Sequence, residues 1–373
     1  MPKARYLAHG GWLVPIALAT WLSAGAAARL QPRPKRPGSG NRNAVCAPRG
    51  PNAGAPTLTA AVVSEANDLA FPTRLLVRDP WIFVLDVAAD SALHLFRLAD
   101  GTLYQSLGRR GRGPGEFWSA WSISSDRHSG DAWIYDISLA RLTEIVVPSG
   151  GRRVAYTGRT IQLAPQGIAT GAVWLDSTRL LVPGIFRDAR IATFDRSGHR
   201  AGGIGQALFA ATDARPQVSQ ARMAMHPDGH LAVLADRHLA SIELIDLQRV
   251  TATAIQGPVA LPHGSAPPGL DDIAYVDVTA SATSIFALFS GRSVPTFGQR
   301  AAYADCVHVF GWDGTFVGAL RLDGDVIAIA VSEDGSALYA LEHEPRPALV
   351  RFDLPAVSAA RPSPLADRVG SPR

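Results

Sequence analysis

The sequence predicts an all-β fold, a six-bladed β-propeller of four-stranded antiparallel blades. Pairs of short apolar strands recur along the chain, and no helical period lies between them. Asp86, Asp136 and Asp236 close corresponding strands and are separated by one or two units of about 50 residues. A unit of that length fits one four-stranded blade, and six such blades can close into a ring.

Each unit has an apolar strand that ends near an acidic or small residue, a short loop, and a second strand followed by a turn. The six first strands lie at 81–86, 132–136, 179–182, 231–236, 284–288 and 337–341. The six second strands lie at 93–96, 142–146, 191–195, 242–246, 307–310 and 349–353. One blade cannot bury both of its faces, whereas six stacked in a ring can. We expect the early strand at 58–63 to complete the last blade and close the ring.

The flanking segments predict an exported protein. Residues 1–28 have a positive start at Lys3 and Arg5, an apolar run and a small-residue cleavage site, as in a secretory signal. An uncleaved membrane anchor is the alternative that the sequence leaves open, although the apolar run is shorter than the ~20 residues of a spanning helix. Residues 29–56 are predicted to be a linker, 57–355 the propeller and 356–373 a flexible tail. The expected location is periplasmic or extracellular.

The basic character of the chain belongs to its N-terminal segment. Residues 1–56 hold eight basic and no acidic residues, which leaves 28 basic and 32 acidic residues for the rest. A mildly acidic folded part argues against nucleic acid as a partner. We also expect no membrane span beyond the signal segment, and a monomer.

The chain has two cysteines, Cys46 before the first blade and Cys306 in a late strand. In an oxidising compartment they could pair and tie the N-terminal segment to the domain. Two free thiols are the alternative, and the sequence leaves both open.

The segment 108–117 is a loop with a fixed path, because its glycines and its proline exclude a helix or central strand. Gly113, Pro114 and Gly115 are predicted to shape the loop, and Phe117 to plug between blades. The loop also carries a basic cluster that could bind an acidic ligand, made of Arg109, Arg110 and Arg112. The alternative is a solvated loop in which Glu116 is paired locally.

The repeat together with the Gly-x-x-Gly-x-Gly-Pro-Gly-Glu-Phe element at 108–117 resembles the NHL-type and TolB-like six-bladed propellers. Bacterial secreted members of this group carry the same Gly-Pro-Gly-Glu-Phe connection. The resemblance covers about 57–355, is sharpest at 81–117, and implies the fold. It implies little about function, since one fold hosts many functions.

Asp86, Asp136 and Asp236 could line a central funnel as metal ligands, with calcium or zinc as the ion. The alternative is that each carboxylate accepts backbone N–H bonds in the turn after its strand. Some proteins of similar architecture are metal-dependent lyases or lactonases. The ten histidines of this chain, however, show no zinc-site spacing. We therefore expect no cofactor.

The function predicted is that of an exported, non-enzymatic propeller that binds a protein, peptide or glycan through loops at one end of the ring. The insertion between Ser290 and Asp305 is the first candidate contact surface, through Arg292, Phe297 and Tyr303. The alternative is a metal-dependent lyase or lactonase-type enzyme with its site in the central channel. Converging His and Asp side chains would favour the enzyme, and a channel lined by Val, Ala and Gly would favour binding.

Overall fold

The computed structural model describes residues 46, 55–64, 69–126, 129–146, 155–206, 220–261 and 270–355. The predicted signal segment, the tail and most of the linker lie outside these residues. The described chain is mainly strand, with a short helix α1 (Val294–Phe297) followed by a 3₁₀ helix (Gly298–Ala302). Within the described ranges, no helix has both the length and the apolar character that crossing a bilayer requires.

The first four blades are separate antiparallel sheets that follow two short strands, β1 (Thr57–Leu58) and β2 (Ala61–Ser64). Blade 1 contains β3 (Pro72–Arg78), β4 (Trp81–Asp86), β5 (Ser91–Arg97) and β6 (Leu103–Arg109). Blade 2 contains β7 (Ala120–Ser125), β8 (Ala132–Asp136), β9 (Arg141–Val146) and β10 (Ala155–Gln162). Blade 3 contains β11 (Gly167–Ala169), β12 (Val173–Trp174), β13 (Arg179–Phe186), β14 (Ile191–Asp195) and β15 (Arg200–Ile204). Blade 4 contains β16 (Ala221–Met225), β17 (Leu231–Asp236), β18 (Ser241–Asp246) and β19 (Thr251–Gln256).

Blades 5 and 6 are joined into one eight-stranded sheet by a shared strand, β23 (Phe316–Val331). The other strands of this sheet, besides β1 and β2, are β20 (Asp272–Ala280), β21 (Ser284–Ser293), β22 (Ala304–Gly311), β24 (Ala337–Glu342) and β25 (Ala348–Asp353). The first part of β23 pairs with β22 and ends blade 5, and its last part pairs with β24 and begins blade 6. Strand β2 pairs antiparallel with β25, so the N-terminal strand completes the last blade as expected.

The core consists of six apolar clusters, one at each interface between neighbouring blades. Such clusters arise because alternate residues of each central strand face opposite sides of its sheet, and each side meets another blade. Blade 6 packs on blade 1 through a cluster that includes Ala328, Leu341 and Ile82. The predicted all-β propeller is therefore confirmed, with a closed ring of six blades.

Phe117 is buried in the cluster between blades 1 and 2 and is 2% exposed. Its backbone N–H donates to Arg109 O at 3.0 Å, and its carbonyl accepts from Gly111 N at 3.0 Å. Gly115 has φ of 70°, and a Cβ there would lie 3.0 Å from the Tyr156 ring. The glycine at this position allows the loop to bring Phe117 inward without a clash.

We expect Phe117→Ala to lower the free energy of unfolding by ~3–5 kcal/mol, the usual range for a buried aromatic side chain. The neighbouring Trp118→Ala provides a matched control, because Trp118 is 42% exposed. That change should cost ~1 kcal/mol or less. Urea unfolding of both variants measures the difference, and equal losses would rule out an anchoring role for Phe117.

Candidate binding site at the upper end of the ring

Most of the candidate binding residues predicted from the sequence lie at one end of the ring. In an antiparallel four-stranded blade, the loop into the innermost strand and the loop between the second and third strands lie at the same end. We call the end at which the innermost strands begin the upper end. It carries the loop 108–117 and the insertion between β21 and β22.

The loop 108–117 holds its arginines in two different ways. Arg109 Nε donates to Glu116 Oε1 at 2.6 Å, and Glu116 Oε2 accepts from Gly113 N at 2.8 Å. These bonds, from the Gly113 N–H and then from Arg109, hold the pKa of Glu116 below its usual value. Arg109 is therefore paired locally, the alternative that the sequence left open.

Arg110 and Arg112 instead flank an exposed tryptophan. Their guanidinium carbons lie 5.0 and 5.1 Å from the centre of the Trp118 ring. All three side chains are exposed. Cation–π contacts of this kind hold long side chains in place while leaving their N–H donors available. We call these three residues the Arg–Trp surface.

The insertion between β21 and β22 is less available for binding than the sequence suggested. Arg292 forms a bidentate pair with Asp325, at 2.6 and 3.0 Å, and Tyr303 OH lies 3.3 Å from His343 Nδ1. The polar groups of Arg292 and Tyr303 therefore have partners within the domain, and their contact role stays a prediction. Phe297 stays exposed, at 47%.

Two of the three repeat aspartates have the turn role that was the alternative to metal binding. The Asp86 and Asp136 carboxylates are buried, and each accepts four backbone N–H bonds from two flanking segments. These donors use carboxylate lone pairs that a metal would need, so the arrangement of both aspartates is that of turn residues.

Asp236 differs from its two equivalents. It binds Arg190 of blade 3 and accepts a hydrogen bond of 2.9 Å from Ser241 Oγ. Arg190 also lies 3.2 Å from Glu243, and all three charged residues are buried. Burial raises the pKa of Asp236 to about 6, against the opposing effect of Arg190. Asp236 is thus part of an interblade ion-pair network and does not have the turn role of its two equivalents. Across the described residues, no three His, Cys, Asp or Glu side chains converge as a metal site would require.

Cys46 and Cys306 form a disulfide, with Cα atoms 5.4 Å apart. The bond lies in the cluster between blades 4 and 5. It attaches the N-terminal segment to β22, which is the pairing that the sequence left open.

The central channel forms a cavity of about 620 Å³, lined by the innermost strands. Most of its described wall is valine, alanine, glycine, serine and threonine; the acidic residues in that wall are Asp277 and Glu333, and it includes no histidine. This wall matches neither outcome set by the sequence, because no histidine lines its described part and valine, alanine and glycine share it with Arg74, Arg78 and Arg222.

Arginines from opposite blades meet at the upper part of this channel. The guanidinium carbons of Arg74 (blade 1) and Arg222 (blade 4) lie 5.9 and 5.2 Å from the Trp121 ring of blade 2. Arg237, in the loop after β17, is close enough for its charge and that of Arg74 to interact. Burial and that neighbouring charge lower the pKa of Arg237 to about 10. We call Arg74, Trp121, Arg222 and Arg237 the arginine chamber.

One buried carboxylate faces this chamber. Asp277 on β20 accepts the Ile329 N–H at 3.0 Å and interacts with the charge of Arg74. Burial raises the pKa of Asp277 above its usual value, and Arg74 opposes that rise. Among the described residues, the chamber therefore holds three guanidinium groups against a single carboxyl group.

The sequence reading missed the chamber because it followed apolar strands, and the innermost strands are of mixed polarity. A signal was present in the register. Arg74, Ser122 and Arg222 each pair with the residue that precedes a repeat aspartate, Asp86, Asp136 or Asp236. Ser122 and Arg222 each lie 14 residues before their aspartate, so aligning the units would have placed these two at equivalent points around the channel, whereas Arg74 lies 12 residues before Asp86 and would have been missed.

Residues 53–334 match the family described as TolB-like 6-blade propeller-like. The chain belongs to this family. The TolB-like chain is also similar to two solved structures from Bacteroides. One is a member of the DUF4221 family from Bacteroides vulgatus, with a TM-score of 0.55 and 11% identity over 80% of this chain and 96% of that one. The other is described as an exported protein from Bacteroides fragilis, with a TM-score of 0.52 and 11% identity over 79% of this chain and 94% of that one. At this identity the likeness shows the fold alone. No curated protein is significantly similar to the TolB-like chain in sequence.

Proposed function

We propose that this TolB-like propeller is an exported, non-enzymatic binding protein that captures a protein, peptide or glycan at the upper end of its ring. The Arg–Trp surface is the observation that carries the proposal. Trp118 is 42% exposed between two arginines, on a loop that is anchored by the buried Phe117. Tryptophan and arginine are the residue types most enriched at binding hot spots.

The loop that presents this surface is held in place before any partner arrives. The Arg141 guanidinium donates to the carbonyls of Arg112 at 3.0 Å and Glu116 at 2.6 Å. A preformed surface loses less conformational entropy on binding than a mobile loop, so more of the contact energy appears as affinity.

Export is supported by the signal pattern in residues 1–28 and by the disulfide, a bond typical of oxidising compartments. The family match and the exported protein from Bacteroides fragilis are consistent with it. These features support our proposal of a periplasmic or extracellular location. We propose that binding needs no metal cofactor.

Screening the exported protein against peptide and glycan arrays tests this function. We expect a ligand whose affinity falls at least about tenfold in Trp118→Ala, since hot-spot aromatics typically contribute 2 kcal/mol or more. Val317→Ala is the control, because Val317 is 54% exposed on β23 and belongs to neither loop. Equal affinities for the two variants would move the partner site away from the Arg–Trp surface.

A further inference from the structure

Counted over the residues that the structure describes, the arginine chamber holds more positive than negative charge. Arg74, Arg222 and Arg237 converge on it, and among the described residues none of them lies within 4.0 Å of a carboxylate oxygen. Asp277 lies near Arg74 but accepts its close hydrogen bond from the Ile329 N–H. Like charges gathered in a partly desolvated space repel each other, so the fold retains them at an energetic cost.

The chamber wall also offers hydrogen-bond donors that have no acceptor in the described protein. They are Arg74 Nε, Trp121 Nε1, Ser122 Oγ and Ser124 Oγ. Arginine and indole nitrogens can only donate, so what this wall lacks is acceptors. Ser122 and Ser124 line the channel cavity itself, and Ser124 is 6% exposed. Unmet donors and excess positive charge thus occur at the same place.

The shape of the space limits what could supply those acceptors. The cavity of about 620 Å³ lies within the range of small-molecule sites and is too small for a folded partner. Guanidinium forks match carboxylate and phosphate groups, which can accept two N–H bonds at once. Arg74 and Arg222 come from opposite blades, so an anion between them would be bound from two sides.

We infer that the arginine chamber is a binding site for the oxyanion group, carboxylate or phosphate, of a small molecule that enters the channel from the upper end. The site is separate from the Arg–Trp surface and does not depend on it. Arg74 and Arg222 contact the anion directly, Arg237 adds to the positive potential, and Asp277 limits that potential. The channel wall below, where apolar residues alternate with serine and threonine, would contact the remainder of the ligand.

Thermal melts and calorimetric titration of the exported protein test the site. The probes are inorganic phosphate and glucuronate, with sodium chloride at matched ionic strength as the blank. We expect at least one probe to raise the melting temperature beyond the chloride blank, because a ligand that binds only the native state stabilises it. Phosphate alone would identify a phosphate-bearing ligand, and glucuronate alone a carboxylate.

Arg222→Gln should lower the affinity for the probe by about tenfold or more, since a charge-assisted hydrogen bond is lost. Arg78→Gln is the matched control. Arg78 lines the same cavity at the opposite end of β3 from Arg74, next to Gly130. The Arg78→Gln substitution should therefore leave the affinity for the probe nearly unchanged.

Asp277→Asn gives a test in the opposite direction, which a general loss of folding cannot mimic. The amide oxygen can still accept the Ile329 N–H, while the competing negative charge is removed. Probe affinity should rise. The inference is overturned if neither probe exceeds the chloride blank, or if Arg222→Gln and Arg78→Gln bind alike. Neither result bears on the array screen with Trp118→Ala, so the two proposals can fail separately.

Discussion

Replacing both Cys46 and Cys306 by alanine should lower the free energy of unfolding by about 5 kcal/mol. The disulfide joins residues 260 positions apart, so it removes a large amount of conformational freedom from the unfolded chain. The chain-entropy treatment gives ~5 kcal/mol for loops of this size. Both cysteines are also buried in the cluster between blades 4 and 5. The packing contacts that their sulfur atoms make are therefore lost in the alanine variant without compensation by water.

Urea unfolding under oxidising conditions measures this loss. The wild-type protein with reductant provides the control, since it loses the same bond while keeping both side chains. The reduced wild type and the double alanine variant should have similar midpoints, well below that of the oxidised protein. A reduced wild type that unfolds at the oxidised midpoint would contradict the prediction.

Arg190→Met should also cost about 5 kcal/mol, by leaving two buried carboxylates without their cation. Removing one partner of a buried ion pair typically costs 3–5 kcal/mol. Here Arg190 is 2% exposed and binds both Asp236 and Glu243. The exposed pair of Arg300 and Glu344 is the control, and Arg300→Ala should cost ~1 kcal/mol or less. Urea unfolding of both variants checks the contrast, and a loss in Arg190→Met no larger than in Arg300→Ala would contradict it.

The pH dependence of this loss identifies its cause. The pKa of Asp236 is about 6 in the fold, against 3.8 ordinarily, so between these values the folded state binds the proton more tightly than the unfolded chain. Stability contributed by this group is therefore greatest below pH ~4 and falls as the pH rises to ~6. Arg190 limits that fall by lowering the pKa.

Without Arg190 the fall becomes steeper and extends to higher pH. The stability gap between wild type and Arg190→Met should accordingly widen from pH 4 to pH 8. Adding Asp236→Asn to the Arg190→Met variant should narrow this stability gap again. A gap that is constant with pH would assign the loss to packing of the arginine stem and not to its charge.

The sequence predicted the parts of this fold that are specified locally. The strands that contain Trp81 and Trp133 are short, continuous apolar runs. Each ends in an aspartate whose carboxylate accepts N–H bonds from adjacent turns, so a short window contains the whole signal. The sequence also predicted that the strand at 58–63 completes the last blade, because that blade otherwise lacked its fourth strand.

Contacts between distant segments could not be predicted in this way. Asp236 resembles Asp86 in its local sequence, yet its partner Arg190 lies 46 residues away in another blade. The Arg–Trp surface and the arginine chamber likewise depend on side chains from separate segments meeting in space. Pairing of Arg292 and Tyr303 within the domain has the same origin, since Asp325 and His343 belong to later parts of the chain.

The pairing of β2 with β25 has a consequence for how the protein reaches its folded state. The chain is synthesised from its N-terminus, so residues 61–64 exist long before residues 349–351, to which they pair. Until β25 is made, β2 has no partner and the ring stays open with bare strand edges. Folding of the ring therefore finishes only when the last blade is complete, and the unfinished chain is vulnerable to aggregation through those edges.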